Sequence, residues 1–475
     1  MCSNGGRTRL RFELIRMTYA TARRRRSNGE LNKLYPEDRA IHEWYRFVLS
    51  FPPHLVRDYL QRLGADSQQR VLDPFCGTGT TLVECKKLGI PSFGVEANPM
   101  AAFASSVKVD WSVDPEGLLD HAGGVADRVA EHLEHEGLHD RPAPRLRIAD
   151  GHGTNGGSNG TAYDVYGMSQ PVGQQLRTLN SERASLLLTD SISAKPLHKT
   201  LCLIDELEAA EDIRFSAHER LALAKALVNS IGNLHFGPEV GVGPLKPDAP
   251  VLEPWMATIH GMASDLRGAE LRADTEARVF PADARDVASV LPPASVDIVI
   301  TSPPYPNEKD YTRTTRLESV LLGFVSSKPE LQALKKGLVR SNTRGVYKAD
   351  TDDSWIADHP EIQRIAREIE ARRIELGKTS GFERMYARVT KLYFGGMARH
   401  LAELRTVLRP GARLAYVVGD QASYLRIMIR TGQILAEIAG TLGYKVTGID
   451  LFRTRLATAT KEQLREEVVL LEWPG

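Results

Sequence analysis

Cysteine is scarce: the 475 residues hold four, Cys2, Cys76, Cys85 and Cys202, with no CxxC pair and no zinc-ligand spacing. That excludes a disulfide scaffold and a sequence-evident metal site, and a reducing cytoplasm is the expected setting. No apolar run reaches the ~18 residues of a membrane-crossing helix. The N-terminus has no apolar secretory core, and no internal repeat marks a solenoid or propeller. Charge of one sign is also missing, with a net of +1, so any grip on phosphate must come from local patches. Hydrophobic residues at 42% and charged ones at 25% suit a globular chain, long enough for one large core with insertions or two domains.

The chain is organised around Val296 to Tyr311, VDIVITSPPYPNEKDY. Its apolar, mostly β-branched start reads as a buried parallel strand. Pro303 and Pro304 stop hydrogen bonding in the sheet and stiffen the turn. Ser302, a carbonyl without a ladder partner and the Tyr305 ring are left at the carboxyl end of a strand, where open α/β sheets bind ligands. A planar amine could donate to Ser302 and to the Pro303 carbonyl while its ring stacks on Tyr305.

A second signal lies upstream in RVLDPFCGTGTTLVECKKLGIPSFGVEANP, Arg70 to Pro99. A short strand ends at Asp73, and Gly77 to Thr81 form a tight turn opening a helix to about Leu88. The helix start offers free amides and a positive dipole end to a carboxylate. A second strand, Ser92 to Val95, ends on Glu96, which can accept ribose hydroxyls. The string departs from the dinucleotide pattern GxGxxG, because Thr80 and Thr81 follow Gly79.

Together, DPFCGTGTT and SPPY resemble the cofactor loop and catalytic motif of the DNA amino-methyltransferases. The resemblance covers roughly residues 40–110 and 276–475. It implies a Rossmann-like α/β fold, the seven-stranded class I methyltransferase sheet, with S-adenosyl-L-methionine (AdoMet) as cofactor and DNA as substrate. The implied catalytic residues are Ser302, Pro303, Pro304 and Tyr305. Asp73, facing the methionine amine, would bind the cofactor with Phe75, Gly77, Thr78, Gly79, Thr80, Thr81, Glu96 and Asp283. Asp283 either takes the adenine amine or caps its own strand. Serine before PPY leans towards the cytosine N4 amine. An adenine amine is the alternative, and an RNA guanine-amine enzyme a more distant one. A 5-methylcytosine enzyme would need a cysteine nucleophile, and neither Cys76 nor Cys85 is so placed. A restriction or phage-defence partner is compatible with the resemblance, and no membrane is implied.

The rest of the chain divides around these motifs. Residues 1–39 form a basic tail with Arg23 to Arg26, either solvated or a phosphate-gripping arm. Residues 111–275, with a glycine-rich loop at 151–160, read as a mostly helical insertion and a candidate for target recognition. Within it Asn233 to Glu239 reads as a helix stop, with His235 and Glu239 capping locally or acting in catalysis. Ala277 to Asp283 reads as a strand beside the SPPY strand, joined to it by Ala284 to Ser295. Inside an insertion at 312–395, Thr312 to Lys348 carries eight basic against two acidic residues. Arg313, Arg316, Arg340 and Arg344 are its expected DNA contacts.

Overall fold

A computed structural model describes residues 31–46, 50–140, 175–236, 240–306, 309–456 and 463–475. The basic run Arg23 to Arg26, the loop 151–160 and Glu239 lie outside the described residues.

In the main sheet, β1 (Val71–Asp73), β2 (Ser92–Val95), β5 (Ala277–Phe280), β6 (Val296–Thr301) and β7 (Leu408–Gly419) run parallel. They are joined by β8 (Lys445–Leu456) and β9 (Gln463–Trp473) in the order β5-β2-β1-β6-β7-β9-β8, with β9 antiparallel to both its neighbours. From β1 the chain builds outward through β2 to β5, then returns to the other side of β1 for β6. The order reverses between β1 and β6, so a crevice opens at their carboxyl ends. Single reversed strand and reversal point together give the class I methyltransferase sheet.

β6 (VDIVIT) is covered on both faces, as its β-branched apolar residues require. One face packs under the helices Pro360–Glu375, Tyr386–Leu404 and Thr431–Thr441. The other packs under Pro53–Arg62, which begins on the proline that suits a first helical turn.

The described residues between β2 and β5 are mainly helical. Pro115–His135, Ala194–Ala209, Ser216–Ala226 and Leu252–Ala269 share a core around Trp255, Leu221 and Leu203. The chain before the first long helix is tied to it, for Trp44 Nε1 donates to Asp265 at 2.8 Å.

Two expectations need correcting. β5 is the outermost strand beside β2, not the neighbour of β6. Three strand spacings are about 14 Å, well within reach of a dozen residues, so a short connection did not imply adjacency. Around His235 the chain is not a simple helix stop. Leu234–Phe236 pairs with β4 (Val240–Val242) as a two-stranded ribbon, β3 being its first strand, and His235 is exposed there.

Candidate active site

The crevice between β1 and β6 opens into a cavity of about 620 Å³. Its floor on one side is the glycine turn after β1, with Glu96 after β2. On the other side lie Ser302 to Tyr305 after β6, then Gln421, Phe452, Arg453 and Glu466 from the β7–β9–β8 end.

Glu96 stands at the centre of the first half. Its Oε2 accepts the Gly77 N–H at 2.8 Å and its Oε1 accepts the Asn98 N–H at 2.8 Å. The Ala97 N–H is a weaker third donor, and burial pushes the carboxyl up to about 7. A carboxylate held this way fits a pair of ribose hydroxyls. The turn above it is braced from behind. Gly79 has φ +83°, and a β-carbon there would lie 2.5 Å from Ser105 Oγ. Buried Lys108 donates to the Thr78 carbonyl at 2.7 Å, and desolvation lowers its pKa to about 7. Pro74, Phe75, Gly77, Thr78 and Thr80 face the cavity. A narrow glycine turn, a helix start and a paired-acceptor acid fit AdoMet.

Three residues expected at the cofactor sit elsewhere. Asp73 turns inward, fully buried, and takes the Thr81 and Thr301 hydroxyls at 2.6 Å each and the Phe75 N–H at 3.1 Å. It ties the ends of β1 and β6 together, and burial raises it to about 6 despite three donors. Thr81 is its partner and Gly79 packs on Ser105, so neither lines the cavity. Asp283 does border the cavity, but its carboxylate is gripped by Arg285 Nη2 at 2.6 Å and Nε at 3.0 Å. It also accepts the Arg285 N–H at 2.9 Å as a helix cap, which leaves it little acceptor capacity for adenine.

In the second half, the Ser302 and Tyr305 hydroxyls are hydrogen-bonded to each other. Among the described residues no donor reaches the Pro303 carbonyl. The Tyr305 ring lies against the end of β7, where a β-carbon on Gly419 would be 3.0 Å from Cε2. Tyr311 receives the Tyr305 backbone N–H on its hydroxyl, and burial pushes it up to about 12. Asn98 Nδ2 donates to Thr315 Oγ1 at 3.2 Å, joining the chain beyond the SPPY turn to the cofactor half.

Residues 3–104 match the family model described as DNA methylase, of the N6 and N4 methyltransferases. That span takes in the glycine turn and Glu96 and stops short of SPPY. The type II methyltransferase M.AvaI of Nostoc sp. is 23% identical over 91% of this chain and 84% of its own length. M.BsoBI of Geobacillus stearothermophilus, also a type II methyltransferase, is 24% identical over 92% and 86%. By these matches the chain is similar to the AdoMet-dependent DNA amino-methyltransferases. Among solved structures, TrmN from Thermus thermophilus is 13% identical with a TM-score of 0.26 over 92% of this chain and 52% of its own, too slight a likeness to bear on the argument.

In this methyltransferase the expected DNA arginines fall into two groups. Arg340 is buried, donating to both Asp350 oxygens at 2.8 and 3.0 Å and to the Lys335 carbonyl at 2.8 Å. It holds its own loop together and has no free face for a phosphate. Arg316 is half-buried and spends its donors on Thr312 and the Leu186 carbonyl. Arg313 is half-buried too. Arg344 is exposed, over the Phe382 ring, next to Gly345 at the cavity rim. Sequence reasoning missed Tyr311, Gly419, Arg453 and Glu466. The first ends the organising stretch and the second ends a recognised strand, whereas the last two meet only across the β8–β9 pairing.

Proposed function

We propose that this methyltransferase acts on the exocyclic N4 amine of a cytosine turned out of DNA. The observation that carries the reading is the turn after β6, where the Ser302 hydroxyl and a Pro303 carbonyl that no donor among the described residues reaches front the same cavity as Glu96. An aromatic amine is a poor nucleophile because its lone pair is delocalised into the ring. Two acceptors on its hydrogens favour a pyramidal nitrogen whose lone pair is freed for attack. Pro304 fixes the turn, and Tyr305 gives the extracted base a stacking surface worth ~1–3 kcal/mol, against an extraction cost of a few kcal/mol. Phe75, Gly77, Thr78, Thr80 and Glu96 would hold AdoMet, which supplies a methyl group on a sulfonium sulfur. The protein's part is positioning and a preorganised polar environment. A neutral serine at the head of the turn supports cytosine over adenine. Arg344, with Arg313 beside the turn, would take DNA phosphates. The type II designation of M.AvaI and M.BsoBI supports a role in restriction and modification.

Ser302→Ala tests the assignment. AdoMet binding should persist while turnover falls ~10–1000-fold, the scale for one positioned polar group. Tyr305→Ala should lose more, because capture and orientation of the base go together. Undiminished methyl transfer in both variants would place the chemistry elsewhere.

A further inference from the structure

The cavity continues past the SPPY turn, over the half of the sheet away from the glycine turn. There Arg453 on β8 donates Nε to Glu466 Oε2 at 2.6 Å and Nη2 to Glu466 Oε1 at 2.7 Å, Glu466 being on β9. Both side chains are mostly buried, at 17% and 11% exposure, and both line the cavity. Glu466 Cγ lies 3.5 Å, and Tyr305 Cε2 3.0 Å, from the point a Gly419 β-carbon would occupy, so the ion pair flanks the tyrosine ring. β6 and β7 stand between this pair and the glycine turn. It therefore belongs to the substrate end.

A guanidinium has five N–H donors in two forks. Glu466 fills the Nε/Nη2 fork and fixes the plane, and the Nη1/Nη2 fork has no protein partner among the described residues. An oriented, partly desolvated fork beside a stacking ring matches two neighbouring acceptors. Reading along the ring edge from its amine, cytosine presents N3 and then O2. Adenine presents N1 and then a C–H. We infer that Arg453, held by Glu466, reads the N3/O2 edge of the target base and makes the site select cytosine. This rests on the cytosine reading above. It adds the residue that would enforce it.

The test pairs a protein change with a base change, on DNA carrying the site mapped by modified-base sequencing. kcat/KM is measured for the target cytosine and for 3-deazacytosine, which lacks the N3 acceptor, with wild-type enzyme and Arg453→Met. Arg453→Leu serves as the second variant if the first fails to fold. Wild-type enzyme should disfavour the analogue by about 10–100-fold, the range of one bidentate base contact. The penalty should shrink to within a few-fold in the variant, because the lost acceptor then has no donor to miss. An equal penalty in both proteins would overturn the role of Arg453 while leaving cytosine as target. Methylated adenine as sole product would instead overturn the cytosine reading.

Discussion

The Tyr305 ring rests on a glycine, and that contact can be perturbed without touching either motif. In Gly419→Ala the new methyl carbon would start 3.0 Å from Tyr305 Cε2. Non-bonded carbons settle at about 3.5–4.0 Å, so the two must separate by about 0.5–1 Å. β7 cannot supply the movement cheaply, since it is paired with β6 on one side and β9 on the other, with Gly419 itself in register with Glu466. The ring has to move. A misplacement of ~1 Å in a positioning group costs ~10²-fold, so single-turnover methyl transfer should fall roughly 10–100-fold. The glycine turn lies on the other side of β6, so calorimetry should give an unchanged AdoMet affinity and the thermal midpoint should move little. Wild-type turnover in the folded variant would refute the claim that ring placement matters. A matching loss of AdoMet binding would refute the division of the cavity into two halves.

AdoMet affinity should rise with pH and level off above about 7, because Glu96 is held near that value by burial and must be ionised to accept both ribose hydroxyls. In Glu96→Gln the affinity should be lower and flat across the same range, and an unchanged pH profile in that variant would assign the titration elsewhere. Arg344→Ala should lower the log–log salt slope of DNA binding by about 1 with the fold intact. Arg340→Ala should instead destabilise by about 3–5 kcal/mol in denaturant titration, since it strands Asp350 in a buried pair, and an intact fold with weaker DNA binding would reverse these roles.

Elements with a strong local signature could be read from the chain alone. A β-branched strand ending in two prolines, a glycine turn opening a helix and a strand ending in an acid led to β6, β1 and β2 and to the ends that face the crevice. Side-chain direction at those ends could not be read. Asp73 is one residue from the cavity wall, yet three donors, from the turn after β1, the helix that follows it and the end of β6, draw it inward. Asp283 is claimed by an arginine only two residues along. A count of charges in Thr312 to Lys348 could not separate Arg340, which is consumed by its own loop, from exposed Arg344. The neighbour of β5 was open for a related reason, since connector length limits reach and does not choose a partner strand. Arg453 and Glu466 become a pair only through the register of β8 on β9, which no local pattern encodes.

The central claim is methyl transfer to a cytosine amine at the turn after β6, and nucleoside analysis of the product tests it most directly. DNA incubated with the wild-type methyltransferase and methyl-labelled AdoMet should yield label in N4-methylcytosine, and Ser302→Ala should strongly reduce it. Label confined to N6-methyladenine would contradict the choice of base, and undiminished label in DNA from Ser302→Ala would contradict the site.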